Sequence, residues 1–219
     1  MLLSVMVVAQ KFETEIYVSP LINLKNSNQN SDSVEDPKNS LCLSFGINEF
    51  YKISERLSIG VGLDYNNLPY KFTNYYIGVL PGIWDAHIES RLNMQTLNLP
   101  LILKVEIIPN YFLKAASGLT YVLKSKGEAY YNSKIWSMEE FNSDRFFEEN
   151  SVLDENRNSF IEIDFSREFP IGKSVLCTAL FYHASLNNYH FTHPNLGMDY
   201  FITNKVKPQQ VGIKLGLKL

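Results

Sequence analysis

The sequence predicts an all-β fold: an eight-stranded antiparallel up-and-down transmembrane β-barrel with short periplasmic turns and long extracellular loops. Three observations carry this expectation. Segments of alternating polarity recur along the chain, the links between them alternate between long and short, and the final segment runs to the last residue with one aliphatic and one polar face. In that segment Val211, Ile213, Leu215, Leu217 and Leu219 share one parity, while Gln210, Gly212, Lys214, Gly216 and Lys218 share the other. Successive side chains of a strand point to opposite faces, so this spacing gathers the aliphatics on one side of a sheet, which a helix does not do. A barrel pairs such a last strand with the first and leaves no open edge.

Each earlier strand follows from the same alternation at about ten residues, the length a tilted membrane strand needs. The first is Phe12 to Leu24, with Ile16, Val18 and Ile22 opposite Glu13, Glu15, Tyr17 and Ser19. In the second, Ser40 to Tyr51, Leu41, Leu43, Phe45 and Ile47 oppose Cys42, Ser44, Gly46 and Asn48. After a link over Lys52 to Arg56, the third sets Leu57, Ile59, Val61, Leu63 and Tyr65 against Ser58, Gly60, Gly62 and Asp64. The fourth, Ser90 to Ile107, changes parity between Leu92 and Met94 on one side and Leu97, Leu99, Leu101, Leu103 and Val105 on the other. A bulge near Gln95 and Thr96 is the simplest repair.

The fifth strand, Tyr111 to Lys124, sets Leu113, Ala115, Leu119, Tyr121 and Leu123 against Lys114, Gly118, Thr120 and Lys124. In the sixth, Ser159 to Phe169, Ile161, Ile163 and Phe165 oppose Glu162, Asp164 and Ser166. The seventh, Lys173 to Ser185, is apolar on both parities and its faces stay open. Long links cover Lys25 to Asn39, Asn66 to Glu89, Ser125 to Asn158 and Leu186 to Lys205, and short ones Lys52 to Arg56, Ile108 to Asn110 and Pro170 to Gly172. Outer-membrane barrels put the tight turns at the periplasm and the long loops outside. Phe50, Tyr51, Tyr111, Phe112 and Phe169 beside the short turns, with Tyr65, Tyr121 and Phe160 toward the long loops, suggest two interfacial girdles.

Composition is compatible with this. The 219 residues are 45% hydrophobic and 20% charged, and no apolar run is long enough for a spanning helix. A membrane barrel hides only half of its strand side chains in lipid, so these values do not oppose it. A net charge of -3 gives no reason to expect nucleic acid as a partner. Residues 1–9 read as a signal peptide, truncated in its basic region, with Val7 and Ala9 before a cut that leaves Gln10; residues 10–219 then form one barrel domain. Cys42 and Cys177 fall in strands that are not neighbours in a meander, and no His/Cys cluster has zinc spacing, so neither a disulfide, a metal nor a cofactor is expected.

With the aliphatic face toward lipid, the lumen receives Glu13, Glu15, Asp64, Lys104, Glu106, Lys114, Glu162, Asp164, Lys214 and Lys218. An eight-stranded barrel is just wide enough for its own side chains, and an unpaired charge there is costly. The expectation is a structural charge network filling a plugged polar lumen, with Lys214 and Lys218 meeting Glu13 and Glu15 on the adjoining first strand. His183, His190 and His193, near Ser185, fall where the outer membrane surface is expected, and a His beside a Ser is the pairing of a base-activated nucleophile. Such spacing is unspecific, and an interfacial collar is the plainer reading. The segment Trp136 to Asn158, aromatic and acidic, reads either as a loop that contacts a partner or as a hairpin continuing strands five and six.

Two stretches, Leu97-Asn98-Leu99-Pro100-Leu101-Ile102-Leu103-Lys104 and Tyr111-Phe112-Leu113-Lys114-Ala115-Ala116-Ser117-Gly118, resemble adjacent strands of the PorT-like outer-membrane β-barrel family of Bacteroidota. The resemblance implies an eight-stranded barrel with the architecture of the OmpA membrane domain. Named members of that family act in type IX secretion, and the family supplies no catalytic residues. The function expected is therefore a non-enzymatic outer-membrane barrel, contacting outer-membrane lipid and acting through its loops on a protein partner or within a membrane complex. Two alternatives stay open: a lipid-modifying enzyme of the same fold, and a soluble calycin-like barrel with an apolar interior.

Overall fold

Alternation closes on itself in the computed structural model, which describes residues 12–24, 34–35, 40–80, 83–135, 147–149, 152–153, 157–172, 174–194 and 201–219. The expected signal peptide and most of the segment from Trp136 to Asn158 lie outside these residues. The barrel strands are β1 (Phe12–Asn23), β2 (Ser40–Lys52), β3 (Leu57–Leu80), β4 (Ile83–Ile108), β5 (Tyr111–Ile135), β6 (Arg157–Ile171), β7 (Ser174–Ser185) and β8 (Gln209–Lys218). Each pairs antiparallel with the next, and β8 returns to β1 through registers such as Ile16↔Leu217 and Val18↔Leu215. The result is a closed eight-stranded barrel whose belt leaves no free edge.

Inside and outside divide by parity, as the pleat requires. Leu63, Leu101, Ile163, Leu180 and Leu215 are among the outward aliphatics, each 43 to 63% exposed, while Glu15, Lys114 and Asp164 face inward at 2 to 3%. A calycin-like interior needs the opposite assignment. The faces of β7, open on sequence, resolve: Cys177, Ala179, Phe181, His183 and Ser185 point inward, and Leu180 and Tyr182 outward. Both cysteines are buried and are not joined by a disulfide.

Tight turns follow local chemistry. Pro109 presets its own φ, and Asn110 takes the left-handed conformation (φ 68°) that a short polar side chain tolerates. Gly172, at φ 61°, does the same between β6 and β7, where a side chain would be strained. In the third turn the backbone N–H groups of Ile53 and Ser54 both donate to Leu57 O, at 2.9 and 3.0 Å.

Strand length departs from expectation at β3, β4 and β5, which run for 24, 26 and 25 residues. The expected long link Asn66 to Glu89 is largely a hairpin, paired from Asn66↔Thr96 to Leu80↔Ile83. Beyond the rim, β3, β4 and β5 continue as a three-stranded sheet, with Val34–Glu35 paired to one side and Phe147–Glu149 to the other. From Leu68 to Leu80 this projection extends by about 40 Å at the usual rise per residue. The link Leu186 to Lys205 likewise holds a hairpin, Tyr189–Pro194 against Phe201–Val206, joined by Val152–Leu153.

The apparent parity change in β4 is a change of solvent, not of pleat. Leu92 and Met94, at 1 and 0% exposed, face the same interior as Asn98, Ile102 and Lys104. Below Gln95 the outward positions, Leu97 to Leu103, meet lipid; above it Arg91 and Asn93 are exposed and the apolar side chains turn in. The irregularity at Gln95/Thr96 sits on β5, where Gln95 opposes Lys124 and Thr96 opposes Val122, leaving Leu123 as the extra residue. An apolar cluster of Leu21, Cys42, Leu68, Tyr70, Leu92, Met94, Phe181, Tyr189 and Val206 thereby caps the lumen.

The aromatic expectation also needs correction. Phe50 and Phe160, at 1 and 0% exposed, point into the lumen, and Phe112 turns its ring to Lys104. At the periplasmic end the outer wall carries Phe12, Tyr51, Tyr111 and Phe169, with the Phe12 and Tyr51 rings 5.2 Å apart. An interfacial belt of this kind suits rings that are apolar in body and polar at the tip.

Candidate functional site: the filled lumen

Because the polar parity of every membrane strand faces inward, charges from distant parts of the chain meet in one narrow space. At the periplasmic end Lys218 Nζ lies 2.8 Å from Glu13 Oε2 and 3.0 Å from Glu168 Oε2. Lys104 takes the other oxygen of Glu168 and lies 4.0 Å from Glu13. Its ammonium also sits 4.3 Å from the Phe112 ring centre and 5.1 Å from that of Phe50. Rings offer a cation favourable quadrupole contacts where water is scarce.

Further in, Lys114 donates to both carboxylate oxygens of Glu15, each at 2.7 Å. Next along the lumen, Lys214 donates to Glu162 and, at 3.0 Å, to Asp164. Glu162 Oε2 faces His183 Nδ1 at 3.2 Å, and the His183 ring stacks on Phe160 with centres 4.6 Å apart. The Tyr17 hydroxyl donates to Asp64, and the Tyr17 ring lies 5.0 Å from the Lys214 ammonium. Gly46 makes room for this: a Cβ there would overlap the Tyr17 ring and the Asp64 carboxylate.

Glu13, Glu15, Asp64, Lys104, Lys114, Glu162, Asp164, Lys214 and Lys218 therefore all engage partners inside the lumen. Glu106 does not; it accepts the backbone N–H of Asn110 at 3.0 Å and stays at the turn. The expected partners also differ in part. Lys218 meets Glu13, but Lys214 turns to Glu162 and Asp164 on β6, and Glu15 crosses to Lys114 on β5. Glu168, His183 and Tyr17 join the network unanticipated. Glu168 shares the parity of Glu162 and Asp164, so the signal was present in the alternation.

His183 and Ser185 occupy a different place from the one expected. Both are buried inside the barrel, at 3 and 2% exposed, away from the outer surface where a lipid substrate lies. They border a cavity of about 10 Å³ with Thr96, Asn98, Thr120 and Gln210. That is room for roughly one water molecule. The Thr96 hydroxyl is buried without a protein partner, and Leu68, Met94, Tyr189 and Pro208 complete the lining of the cavity. Side chains of His190 and His193 lie outside the described residues. Among the described residues no three His, Cys, Asp or Glu side chains converge to hold a metal.

No protein-family model and no curated protein matches the chain. Solved structures do. The outer membrane protein OprG from Pseudomonas aeruginosa is 12% identical, with 95% of this chain and 96% of that one covered and a TM-score of 0.57. The outer membrane protein AlkL, 13% identical, covers 95% of this chain and 88% of its own at a TM-score of 0.49. Neisserial surface protein A, 11% identical with 95 and 96% covered, overlays at 0.41. At these identities the likeness concerns the fold, and the OprG overlay carries it. Joined to an outward aliphatic belt that only a bilayer satisfies, it makes this chain an eight-stranded β-barrel of the bacterial outer membrane.

Proposed function

We propose that the protein is a non-enzymatic outer-membrane barrel, closed to solute passage, that acts through its extracellular end on a protein partner or as an accessory of an outer-membrane assembly. The observation that carries this reading is the double closure of the lumen. The Glu15–Lys114 pair bridges opposite strands inside the belt, and the apolar cluster around Leu92 and Met94 fills the mouth above it. With the interior occupied, the extracellular projections are left to meet a partner, and the sheet of β3, β4 and β5 is the longer of them. The likeness of Leu97–Lys104 and Tyr111–Gly118 to PorT-like strands supports membership of that family and, with it, a role beside a secretion machine.

Two measurements test the reading. In planar bilayers the purified barrel gives no single-channel openings; stable openings overturn the closed lumen. Replacing residues 73–89 by a two-residue turn removes the projecting hairpin and leaves the belt intact. A complex isolated from native outer membrane in mild detergent is expected to lose its partner in that variant, and a complex retained unchanged overturns the assignment of the binding surface.

A further inference from the structure

On the lipid face of the belt, two ionisable side chains near the periplasmic end are treated differently. Glu49 accepts the Thr14 hydroxyl at 2.6 Å, so the wall itself supplies its partner. Arg167, on β6, has no carboxylate in reach among the described residues. Its guanidinium carbon instead lies 4.9 Å from the Tyr111 ring centre and 4.6 Å from that of Phe169. Two rings fix where the guanidinium sits, yet neither neutralises its charge, and a planar guanidinium matches phosphate oxygens with paired hydrogen bonds.

Beside Arg167 the wall is indented. Thr178 opposes Arg167 across the β6–β7 register, and Leu180 opposes both Phe165 and Ile213. The small threonine between larger neighbours leaves an open, mainly apolar groove of about 240 Å³ lined by Phe165, Arg167, Thr178, Ala179, Leu180 and Ile213. This is somewhat below the roughly 300 Å³ at which pockets for drug-sized ligands begin, and suits part of one acyl chain. The groove begins at the arginine and runs up the wall toward the middle of the belt.

We propose that this groove is a binding site for an anionic glycerophospholipid of the periplasmic leaflet, with its phosphate on Arg167 and one acyl chain over Thr178. Depth selects the source. Arg167 pairs with Tyr111, the first residue after the Pro109–Asn110 turn, which puts the guanidinium at the periplasmic headgroup level and out of reach of lipid A in the other leaflet. A phosphodiester offers the charge that the site lacks, and a chain beneath it fills the indentation.

The test is native mass spectrometry of the full chain, delipidated in detergent and mixed with dimyristoyl phosphatidylglycerol, dimyristoyl phosphatidylcholine or lipid A. Wild type is expected to retain phosphatidylglycerol several-fold more than phosphatidylcholine of the same chain length. Arg167→Gln removes the preference, and Thr178→Trp, which fills the groove, lowers retention of both lipids. Equal retention of the two lipids by wild type overturns the proposal without any variant. So does a preference for phosphatidylglycerol undiminished in folded Arg167→Gln, or stronger retention of lipid A. The proposal rests on the membrane position of the belt and is independent of whether the extracellular sheet binds a partner.

Discussion

Lys114 and Glu15 stand on strands β5 and β1, on opposite sides of the barrel, and meet through two hydrogen bonds of 2.7 Å, both side chains almost fully buried. Replacing one member strands a charge in a site that water reaches poorly, and such a loss costs about 3–5 kcal/mol. Lys114→Met and Glu15→Leu are each expected to lower the urea midpoint of the barrel in lipid vesicles, and the double variant Glu15→Leu with Lys114→Met to recover part of the loss. Additive single effects would show that the two residues act separately.

Gly46 is expected to resist enlargement. Its missing Cβ is the space taken by the Tyr17 ring and the Asp64 carboxylate, so Gly46→Val forces the Tyr17–Asp64 contact apart. Overpacking of a filled interior costs about 1–3 kcal/mol. Heat-modifiable migration on a gel, scored as folded fraction after refolding into detergent, checks this against wild type.

Outward aliphatics near the middle of the belt respond as lipid contacts. Ile163 is 55% exposed by its own barrel, which in water would make a charge there harmless. In a bilayer Ile163→Arg is expected to cost about 2–4 kcal/mol, the range for Arg or Lys at the midplane. Equilibrium folding into vesicles measures it, and a neutral result would contradict a transmembrane belt.

Topology is testable on intact cells. A cysteine at Arg157, exposed where β6 leaves the rim, is expected to react with a membrane-impermeant maleimide, whereas one at Ser54, exposed in a short turn, reacts only after the outer membrane is opened. Cys42 and Cys177 are buried and leave the background low. The reverse labelling pattern would invert the assignment of the two ends.

Burial of His183 and Ser185 bears on the enzyme alternative. With a cavity of about 10 Å³ beside them, no acyl chain fits against either side chain. Lipid A from cells with and without the gene is expected to give the same mass spectrum. Loss or gain of an acyl chain upon deletion would restore a lipid-modifying role.

Much of the barrel is legible in the chain because its signal is local. Parity sends Ile161 and Ile163 to lipid and Glu162 and Asp164 inward without reference to any other strand, and turn chemistry marks Pro109–Asn110 and Gly172. Two kinds of position depart from the simple expectation, each for its own reason. Leu92 and Met94 look out of phase only if lipid surrounds the whole strand; where β4 rises into water, the apolar side must turn inward, and alternation by itself does not say where the bilayer stops. Phe50 and Phe160 depart for another reason: they share the inward parity of Asn48 and of Glu162, and closeness to a strand end does not override the pleat.

Sequence alone determined how many strands close the barrel, which residues share a face on every strand but β7, and most of the charges that lie inside. Tertiary structure decided whom those charges meet. Lys218 faces Glu15 in strand register yet bonds Glu13 and Glu168, while Glu15 reaches to Lys114, 99 residues away. The reason is geometric: in a narrow closed barrel, long side chains span the lumen, so partners are set by height and by curvature around the wall, and neither quantity is written in a period of two.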